Sequence, residues 1–308
     1  MKELDLKSVY ANTVTDLAKN NDDVYIVEAD LSNSIGTLGK KEELKERYVN
    51  VGIAEAELVG VGAGLSVIGN YPFMHTFAPF MTRRVYDQVF LSFAYAKNKG
   101  VLFGSDPGIC AEKNGGTHMC FEDVSLMRTI PGMYVYDVSQ PTQLEMIIKK
   151  CYKERRLAYI RSGRKKFHDL EEFTEESVEK GYSVLKEQNA NVTIFVSGIL
   201  THEVLKAAKI LNNQGKKVNV VEMYRIKPIN KEIIIEAAKR GLIVTVENHN
   251  VIGGLGSAVA EVVAEECPTK VYRLGVREKF GQVGDIDYLK EQYGISADQI
   301  ASFVGELK

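Results

Sequence analysis

One stretch of the sequence carries side chains that could together bind and activate a flat heterocycle. Glu55 stands at the start of an apolar, glycine-rich run, and a carboxylate there would lie near the positive end of a helix dipole and near the core, where its charge can be tuned. Phe77 and Phe80 follow a predicted strand, and two rings three residues apart offer a face for stacking. A glycine-rich loop ends in His118, whose imidazole can give or take a proton near neutral pH.

Each of these side chains also has a structural interpretation. A glutamate at a helix start can simply stabilise the helix through its dipole. Phenylalanine most often packs in a core, and a lone histidine is more often structural than catalytic. Position along the chain does not separate these alternatives for any single residue.

A polar loop after the first predicted strand adds two candidates. The strand DDVYIVEADL ends at Asp30, and Ser34 lies in the LSNSIG loop that follows. In a parallel sheet, groups beyond the carboxyl end of a strand are placed to bind ligands. A loop that caps the next helix, KEELKER, explains the same residues equally well.

The elements that must position these residues alternate between strand and helix along the whole chain. Such alternation predicts an α/β protein with open, mostly parallel sheets covered by helices on both faces. The length of 308 residues suggests two domains. We expect a first domain over residues 1–165, a polar linker over 166–185 and a second domain over 186–308.

Two predictions concern segments around the candidate site. The sequence APFMTRRVYDQVFLSFAYA predicts one continuous helix over residues 78–96, on which Arg83, Arg84 and Asp87 are expected to face solvent rather than the site. The helix that starts at Glu55 contains three glycines, at positions 60, 62 and 64, each of which weakens a helix by about 1 kcal/mol. We expect those glycines to let a partner subunit approach closely.

Composition excludes several classes of partner. The net charge is −2, charged residues make up 26% of the chain, and no long run has one sign, so we expect no nucleic acid and no anionic membrane partner. No stretch approaches the roughly 18 consecutive apolar residues of a spanning helix, and the N-terminal residues lack the apolar core of a signal peptide. A cytoplasmic protein whose four cysteines are reduced is the expectation.

Several motifs together resemble a known family. GIAEAE, HTFAPF, VYDQV, GGTH and FEDVSLMRTIPGM follow one another as in the pyrimidine-binding domain of transketolases, and IVTVENHNVIGGLGSAVAEVV with RLGVREKFGQVGD resembles the transketolase C-terminal domain. The resemblance covers nearly the whole chain. It implies the fold of those two domains and a thiamine-diphosphate enzyme that transfers a two-carbon ketol unit from a ketose to an aldose.

The resemblance also implies roles for the cofactor-binding candidates. Glu55 matches the glutamate that hydrogen-bonds the N1′ atom of the pyrimidine ring of thiamine diphosphate. Phe77 and Phe80 match the aromatic residues around that ring, and Asp30 lies in a loop near the cofactor. Arg83 stands where many transketolases have a tyrosine, which is a departure from the family pattern.

Residues for the sugar substrate are implied in the same way. His118 matches a histidine that contacts the donor near its reacting carbons, Arg161 matches an arginine that grips the donor phosphate, and Ser34 lies near the same phosphate. Asp106 replaces a family histidine and Asn114 replaces an aspartate, so an atypical donor is possible. An anionic Asp106 would repel a sugar phosphate unless a cation pairs with it.

The Gly-Asp-Gly motif through which such enzymes anchor the diphosphate and Mg²⁺ is missing from the sequence. We therefore expect no metal ligands on this chain, and an amino-terminal transketolase subunit that binds Mg²⁺ and completes the site in a homodimer or heterotetramer acting on sugar phosphates. Two alternatives stay open. One is a subunit of a decarboxylating enzyme, similar to a deoxyxylulose-phosphate synthase or to a 2-oxoacid dehydrogenase beta subunit. The other is a catalytically silent partner module.

Overall fold

The computed structural model describes residues 4–170 and 172–307; residues 1–3, 171 and 308, which belong to the predicted domains and linker, lie outside the described residues. The first part of the chain contains the strands β1 (Leu4–Asp5), β2 (Val24–Glu28), β3 (Tyr48–Asn50), β4 (Tyr71–Phe77), β5 (Gly100–Ser105), β6 (Tyr134–Val138), β7 (Leu157–Ser162) and β8 (Lys166–Phe167). Its helices are α1 (Leu6–Asn20), α2 (Ser32–Ile35), α3 (Lys41–Leu44), α4 (Glu55–Val67), α5 (Ala78–Met81), α6 (Tyr86–Gln88), α7 (Asp123–Thr129) and α8 (Pro141–Lys153).

The second part contains the remaining elements. Its strands are β9 (Ser183–Lys186), β10 (Val192–Val196), β11 (Asn219–Glu222), β12 (Arg225–Lys227), β13 (Leu242–Asn250) and β14 (Val271–Val276). Its helices are α9 (Glu175–Lys180), α10 (Leu200–Asn213), α11 (Lys231–Arg240), α12 (Leu255–Glu266), α13 (Ile286–Tyr293) and α14 (Ala297–Gly305). Across the described ranges, no helix is both long and apolar enough to cross a lipid bilayer.

Two sheets organise the described chain. The first has the strand order β12, β6, β7, β5, β4, β2, β3, and within it only β12 runs antiparallel to its neighbour. The second has the order β14, β13, β10, β11, β9, and there only β9 is antiparallel. Two open, mostly parallel sheets covered by helices were predicted, and this fold class is confirmed.

Apolar side chains cover both faces of the first sheet. One cluster joins the strands to α1 and α8, which contribute Tyr10, Val14, Leu144 and Ile148 among others. A separate cluster on the opposite face joins them to α4 and to the segment around Phe93. Because both faces are buried, ligands can reach the sheet only at its ends.

The strand order reverses at β2, since the chain passes from β2 to β3 on one side and then returns to β4 on the other. In open α/β sheets, such a reversal leaves a crevice at the carboxyl ends of the strands. Asp30 follows β2, Phe77 ends β4 and Asp106 follows β5. The candidate site therefore lies at this edge of the sheet.

The predicted linker over residues 166–185 contains ordered elements. Strand β8 pairs with β1, helix α9 is capped by the side chain of Thr174, and β9 already belongs to the second sheet. Strand β12 also crosses back to pair with β6 of the first sheet. Its polar composition predicted a linker, but these pairings join the segment to both domains.

The continuous helix predicted over residues 78–96 is wrong. Helix α5 ends at Met81, Thr82 adopts φ −117° and ψ −87°, and helical structure resumes only at Tyr86, followed by a π-helix over Val89–Tyr95. The Thr82 hydroxyl donates to the Ala78 carbonyl at 2.7 Å. Apolar periodicity alone does not reveal this break, which changes the direction of the arginines at positions 83 and 84.

The glycines of α4 have different environments. A Cβ atom on Gly62 would lie 2.2 Å from Sδ of Met74, so a larger residue there would displace the buried Met74 side chain of the same chain. At Gly60 and Gly64 a Cβ atom would meet no heavy atom of the described chain within 4 Å. The subunit-contact interpretation is therefore unnecessary for Gly62 and stays a prediction for the other two.

Candidate active site

Three of the predicted residues form an aromatic wall at the crevice. The imidazole of His118 lies edge-on to both phenylalanine rings, with centroid distances of 5.1 Å to Phe80 and 5.8 Å to Phe77. The two phenylalanine rings are 6.3 Å apart. All three side chains are partly exposed, so the wall is a surface rather than a sealed piece of core. These distances suit edge-to-face aromatic packing.

Glu55 is the first residue of α4 and is 5% exposed. Its carboxylate pairs with Arg84, whose Nη1 lies 2.6 Å from Oε2, and the guanidinium carbon of Arg84 lies 3.9 Å from the centroid of the Phe80 ring. Arg84 thereby joins the carboxylate to the aromatic wall. The expectation that Arg84 faces solvent is wrong, because the break after α5 turns its half-exposed side chain towards Glu55.

Arg164 links two of the predicted substrate residues. Its Nε lies 2.7 Å from Oδ2 of Asp106, and its Nη1 donates to the carbonyl and hydroxyl oxygens of Ser34. The guanidinium carbon of Arg164 lies 5.3 Å from the centroid of the Phe77 ring. Burial raises the pKa of Asp106, although the adjacent guanidinium opposes this shift. The cation that Asp106 needs is therefore Arg164, which sequence analysis missed.

Arg161 is enclosed by other side chains in this structure, and its contacts argue against the predicted role as a phosphate ligand. The side chain is 1% exposed and forms ion pairs with Asp123, at 2.6 Å, and with Asp137, at 3.0 Å. Its remaining nitrogen donates to the carbonyl of Asn248 at 2.8 Å. A guanidinium enclosed by two carboxylates and a carbonyl has no free side for a phosphate.

Three further positions lie at the rim of the site. Asp30 is exposed with φ 60°, and its backbone N–H donates to the side chain of Asn50. Asn114 is exposed. Arg83 pairs with Glu122 at 2.9 Å and donates to the carbonyl of Thr117, next to His118. Roles for Asp30 and Asn114 stay predictions.

The second domain holds the loop that carries His118. The side chain of Asn248 accepts from the N–H of Ile109 and donates to the carbonyl of Pro107, both at 3.0 Å. Gly108, between them, has φ 52°, and a Cβ atom there would lie 2.2 Å from the Asn248 side chain, so only glycine fits. At the other end of the loop, Met119 packs into the apolar core of the second domain.

Sequence analysis also missed a buried polar chain beneath the site. His75 is fully buried in β4, with Nδ1 2.7 Å from the Glu28 carboxylate and Nε2 3.0 Å from the Ser105 hydroxyl. The Thr37 hydroxyl donates to the other oxygen of Glu28 at 2.7 Å. This set of buried hydrogen bonds links the ends of β2, β4 and β5 to one another. A histidine inside an otherwise apolar strand was the available signal.

Among the residues that the structure describes, no three histidine, cysteine, aspartate or glutamate side chains are grouped in a way that could hold a metal ion. A magnesium site on a partner subunit stays a prediction.

Comparison with known proteins identifies the family. The model of the transketolase pyrimidine-binding domain matches residues 2–168, and that of the transketolase C-terminal domain matches residues 181–300. A 6-deoxy-6-sulfo-D-fructose transketolase subunit of Clostridium sp. (strain MSTE9) is 41% identical over 303 residues, 98% of this chain and 94% of the relative. An apulose-4-phosphate transketolase subunit of Phocaeicola vulgatus is 30% identical over 94% of this chain and 93% of its own.

A solved structure described as a split gene transketolase, inactive beta4 tetramer, superimposes with a TM-score of 0.88 at 36% identity and covers 98% of both chains. The resemblance seen in the sequence motifs is thus confirmed along the whole chain. This protein belongs to the transketolase family.

Proposed function

We propose that this chain is the carboxy-terminal subunit of a split transketolase, which transfers a two-carbon ketol unit from an anionic ketose to an aldose with thiamine diphosphate. The observation that carries the proposal is the buried carboxylate of Glu55 beside the partly exposed rings of Phe77, Phe80 and His118. A carboxylate at the edge of an aromatic surface suits a flat heterocycle with a basic ring nitrogen.

The residues present fit the pyrimidine half of the cofactor. Phe77 and Phe80 would hold the ring by its faces and edges, and Glu55 would hydrogen-bond its N1′ atom. When bound, thiamine diphosphate supplies the acidic carbon that attacks the ketose carbonyl. Glu55 holds the proton at the ring nitrogen, while His118, on the same aromatic wall, can hold or release a proton at the substrate oxygens.

The anionic end of the sugar would face Arg164. A cavity of about 240 Å³ beside Arg164 is also lined by Lys7 and Lys165, and by the carboxylates of Asp106 and Glu112, which pair with Arg164 and Lys165. Guanidinium and ammonium groups bind phosphate and sulfonate oxygens well. A 6-sulfo sugar and a 4-phosphate sugar are named for the two relatives, which supports a ketose with an anionic group at the end away from the carbonyl.

A second subunit would bring the diphosphate and Mg²⁺ site, because the Gly-Asp-Gly motif is missing from this sequence. The two relatives are themselves described as subunits and match along nearly their whole length. The surface along α4 and the neighbouring π-helix supports such a contact, since large apolar side chains on or next to these segments are at least half exposed: Ile53, Val67, Ile68, Leu91 and Tyr95. A heterotetramer with two copies of each chain is the assembly we propose.

The test is reconstitution with a candidate amino-terminal subunit. The complex should bind thiamine diphosphate with Mg²⁺ in a calorimetric titration and transfer a ketol unit from a phosphorylated or sulfonated ketose. Glu55→Gln should lower turnover by about 10²- to 10⁴-fold, the usual contribution of a positioned proton-transfer group. Glu57→Gln, on the same turn of α4 but exposed, should keep activity near that of the wild type.

Thermal unfolding of both variants checks that the fold is intact. Activity of Glu55→Gln equal to the wild type would exclude the assigned role. A complex that assembles but does not bind the cofactor would favour a catalytically silent module.

A further inference from the structure

Arg84 already makes the contacts that the cofactor would need. Its guanidinium lies over Phe80 with the central carbon 3.9 Å from the ring centroid, and it points one nitrogen at Glu55 from 2.6 Å. The aminopyrimidine ring would likewise lie against the phenylalanine wall and direct a ring nitrogen at the same carboxylate. Two planar groups cannot hold one ring face and one carboxylate oxygen at the same time.

We propose that Arg84 occupies the Glu55 carboxylate in the absence of the cofactor and that the aminopyrimidine must displace the guanidinium in order to bind. The inference rests on the proposed function and deepens it. Arg84 is 44% exposed whereas Glu55 is 5% exposed, so the arginine can move into solvent while the carboxylate stays in place.

Displacement also has a chemical reason. A guanidinium nitrogen 2.6 Å away already occupies one carboxylate oxygen of Glu55. Sharing a proton with a ring nitrogen requires that the carboxylate not be neutralised by another partner. Departure of Arg84 leaves Glu55 in its apolar surroundings, where Leu58 and Val59 of the same helix are fully buried.

The contact should weaken cofactor binding by a measurable amount. When the binding-competent state is only a fraction of the population, the apparent dissociation constant rises by the inverse of that fraction. A half-exposed ion pair combined with a cation–π contact gives a modest preference for the state in which Arg84 is paired with Glu55, so we expect a factor of about ten. Removing the guanidinium should therefore tighten cofactor binding.

The experiment measures thiamine diphosphate affinity by calorimetry, with Mg²⁺, in the complex with the amino-terminal subunit. Arg84→Gln should bind the cofactor about tenfold more tightly than the wild type. The matched control is Arg155→Gln, since Arg155 is 42% exposed, pairs with Asp23 at 2.6 Å and lies over the Tyr71 ring, but at the opposite end of the sheet. That control should bind within about twofold of the wild type.

Salt gives a second readout. Raising the salt concentration from about 0.05 to about 0.5 M screens a half-exposed ion pair, so the affinity ratio between Arg84→Gln and wild type should shrink towards one. Arg84→Ala should behave in the same direction and serves if the glutamine variant does not fold.

Unchanged affinity in both Arg84 variants overturns the proposal, and weaker binding overturns it by making Arg84 a cofactor ligand. The failure of the proposed function is distinguishable from these results. If the proposed function is wrong, the wild-type complex itself binds no thiamine diphosphate, and the proposal for Arg84 is then wrong as well.

Discussion

Two groups of arginine–carboxylate ion pairs lie near the carboxyl ends of the strands of the first sheet, yet their surroundings differ. At the domain boundary, Arg161 is enclosed with Asp123 and Asp137, and all three side chains are 4% exposed or less. At the crevice, Arg84 and Arg164 are 44% and 28% exposed, although the carboxylates that they contact are buried. The first group is closed to ligands, whereas the second can exchange a carboxylate for a ligand.

The two groups differ in the cost of separating a guanidinium from its carboxylate. A fully buried ion pair that loses a partner leaves an uncompensated charge in a medium of low dielectric constant. A half-exposed guanidinium can return to water at little cost. The buried group also joins the two domains, because Asp137 accepts from the Ser197 hydroxyl and Arg161 donates to the Asn248 carbonyl. Stability should thus depend on the buried group, and ligand binding on the exposed one.

Arg161→Met gives the largest expected effect. It leaves Asp123 and Asp137 buried without their cation, which should lower the free energy of unfolding by about 3–5 kcal/mol. Arg164→Met, three residues further on and partly exposed, should lower it by less, about 1–2 kcal/mol, because only the buried carboxylate of Asp106 loses its cation. Urea unfolding followed by circular dichroism measures both. Equal losses in the two variants would remove the distinction between the groups.

His249 tests the buried group through pH. The ring lies 3.9 Å from Asp123, its Nδ1 is 2.6 Å from the Asn250 carbonyl, and its Nε2 accepts from the N–H of Ser125 at 3.3 Å. Burial lowers the pKa of His249 to about 4, and this pattern of one donor and one acceptor suits the neutral ring.

The direction in which stability changes with pH follows from proton uptake by His249. Below about pH 6.5 the unfolded chain binds a proton at His249 that the folded chain refuses until about pH 4. Stability is therefore complete above about pH 6.5 and is lost as pH falls towards 4, by about 3 kcal/mol at most. His249→Gln should show a shallower decline between those pH values in urea unfolding. A slope equal to that of the wild type would contradict the assignment.

The sequence was sufficient for the fold and for the parts of the site that depend on local position. Alternating strands and helices placed Phe77 at the end of β4 and Glu55 at the start of α4, and a residue at a strand end reaches the crevice whatever its distant contacts are. His118 joined them because its loop returns to the same edge of the sheet.

The departures from expectation concern residues whose surroundings are set by distant parts of the chain. Arg161 and Arg164 both lie near the end of β7, and nothing local shows that Asp123 and Asp137 enclose the first. The helix break at Thr82, which turns Arg84 to Glu55, depends on a hydroxyl bonding a backbone carbonyl, and apolar periodicity contains no trace of it. His75 was visible as a polar residue in a buried strand, but its partners Glu28 and Ser105 come from separate strands.

The smallest expected effects come from replacing either partner of the Arg164–Asp106 ion pair, which should change KM in opposite directions. Arg164→Met should raise KM for an anionic ketose by about tenfold, since a charge-assisted contact to the ligand is lost. Asp106→Asn should lower that KM by about threefold, because Arg164 no longer shares its charge with a carboxylate. Asn tolerates the left-handed backbone of Asp106, where φ is 51°, so folding should be unaffected.

Steady-state kinetics of the reconstituted complex, with an anionic ketose and its neutral counterpart as donors, separates the charge effect from a general change in the site. With the neutral donor, both variants should stay within about twofold of the wild type, because that sugar offers Arg164 no anion. If KM changes equally for both donors, Arg164 orders the loop rather than binding the anionic end. A rise in KM for Asp106→Asn would show instead that the carboxylate holds Arg164 in the orientation that the ligand needs.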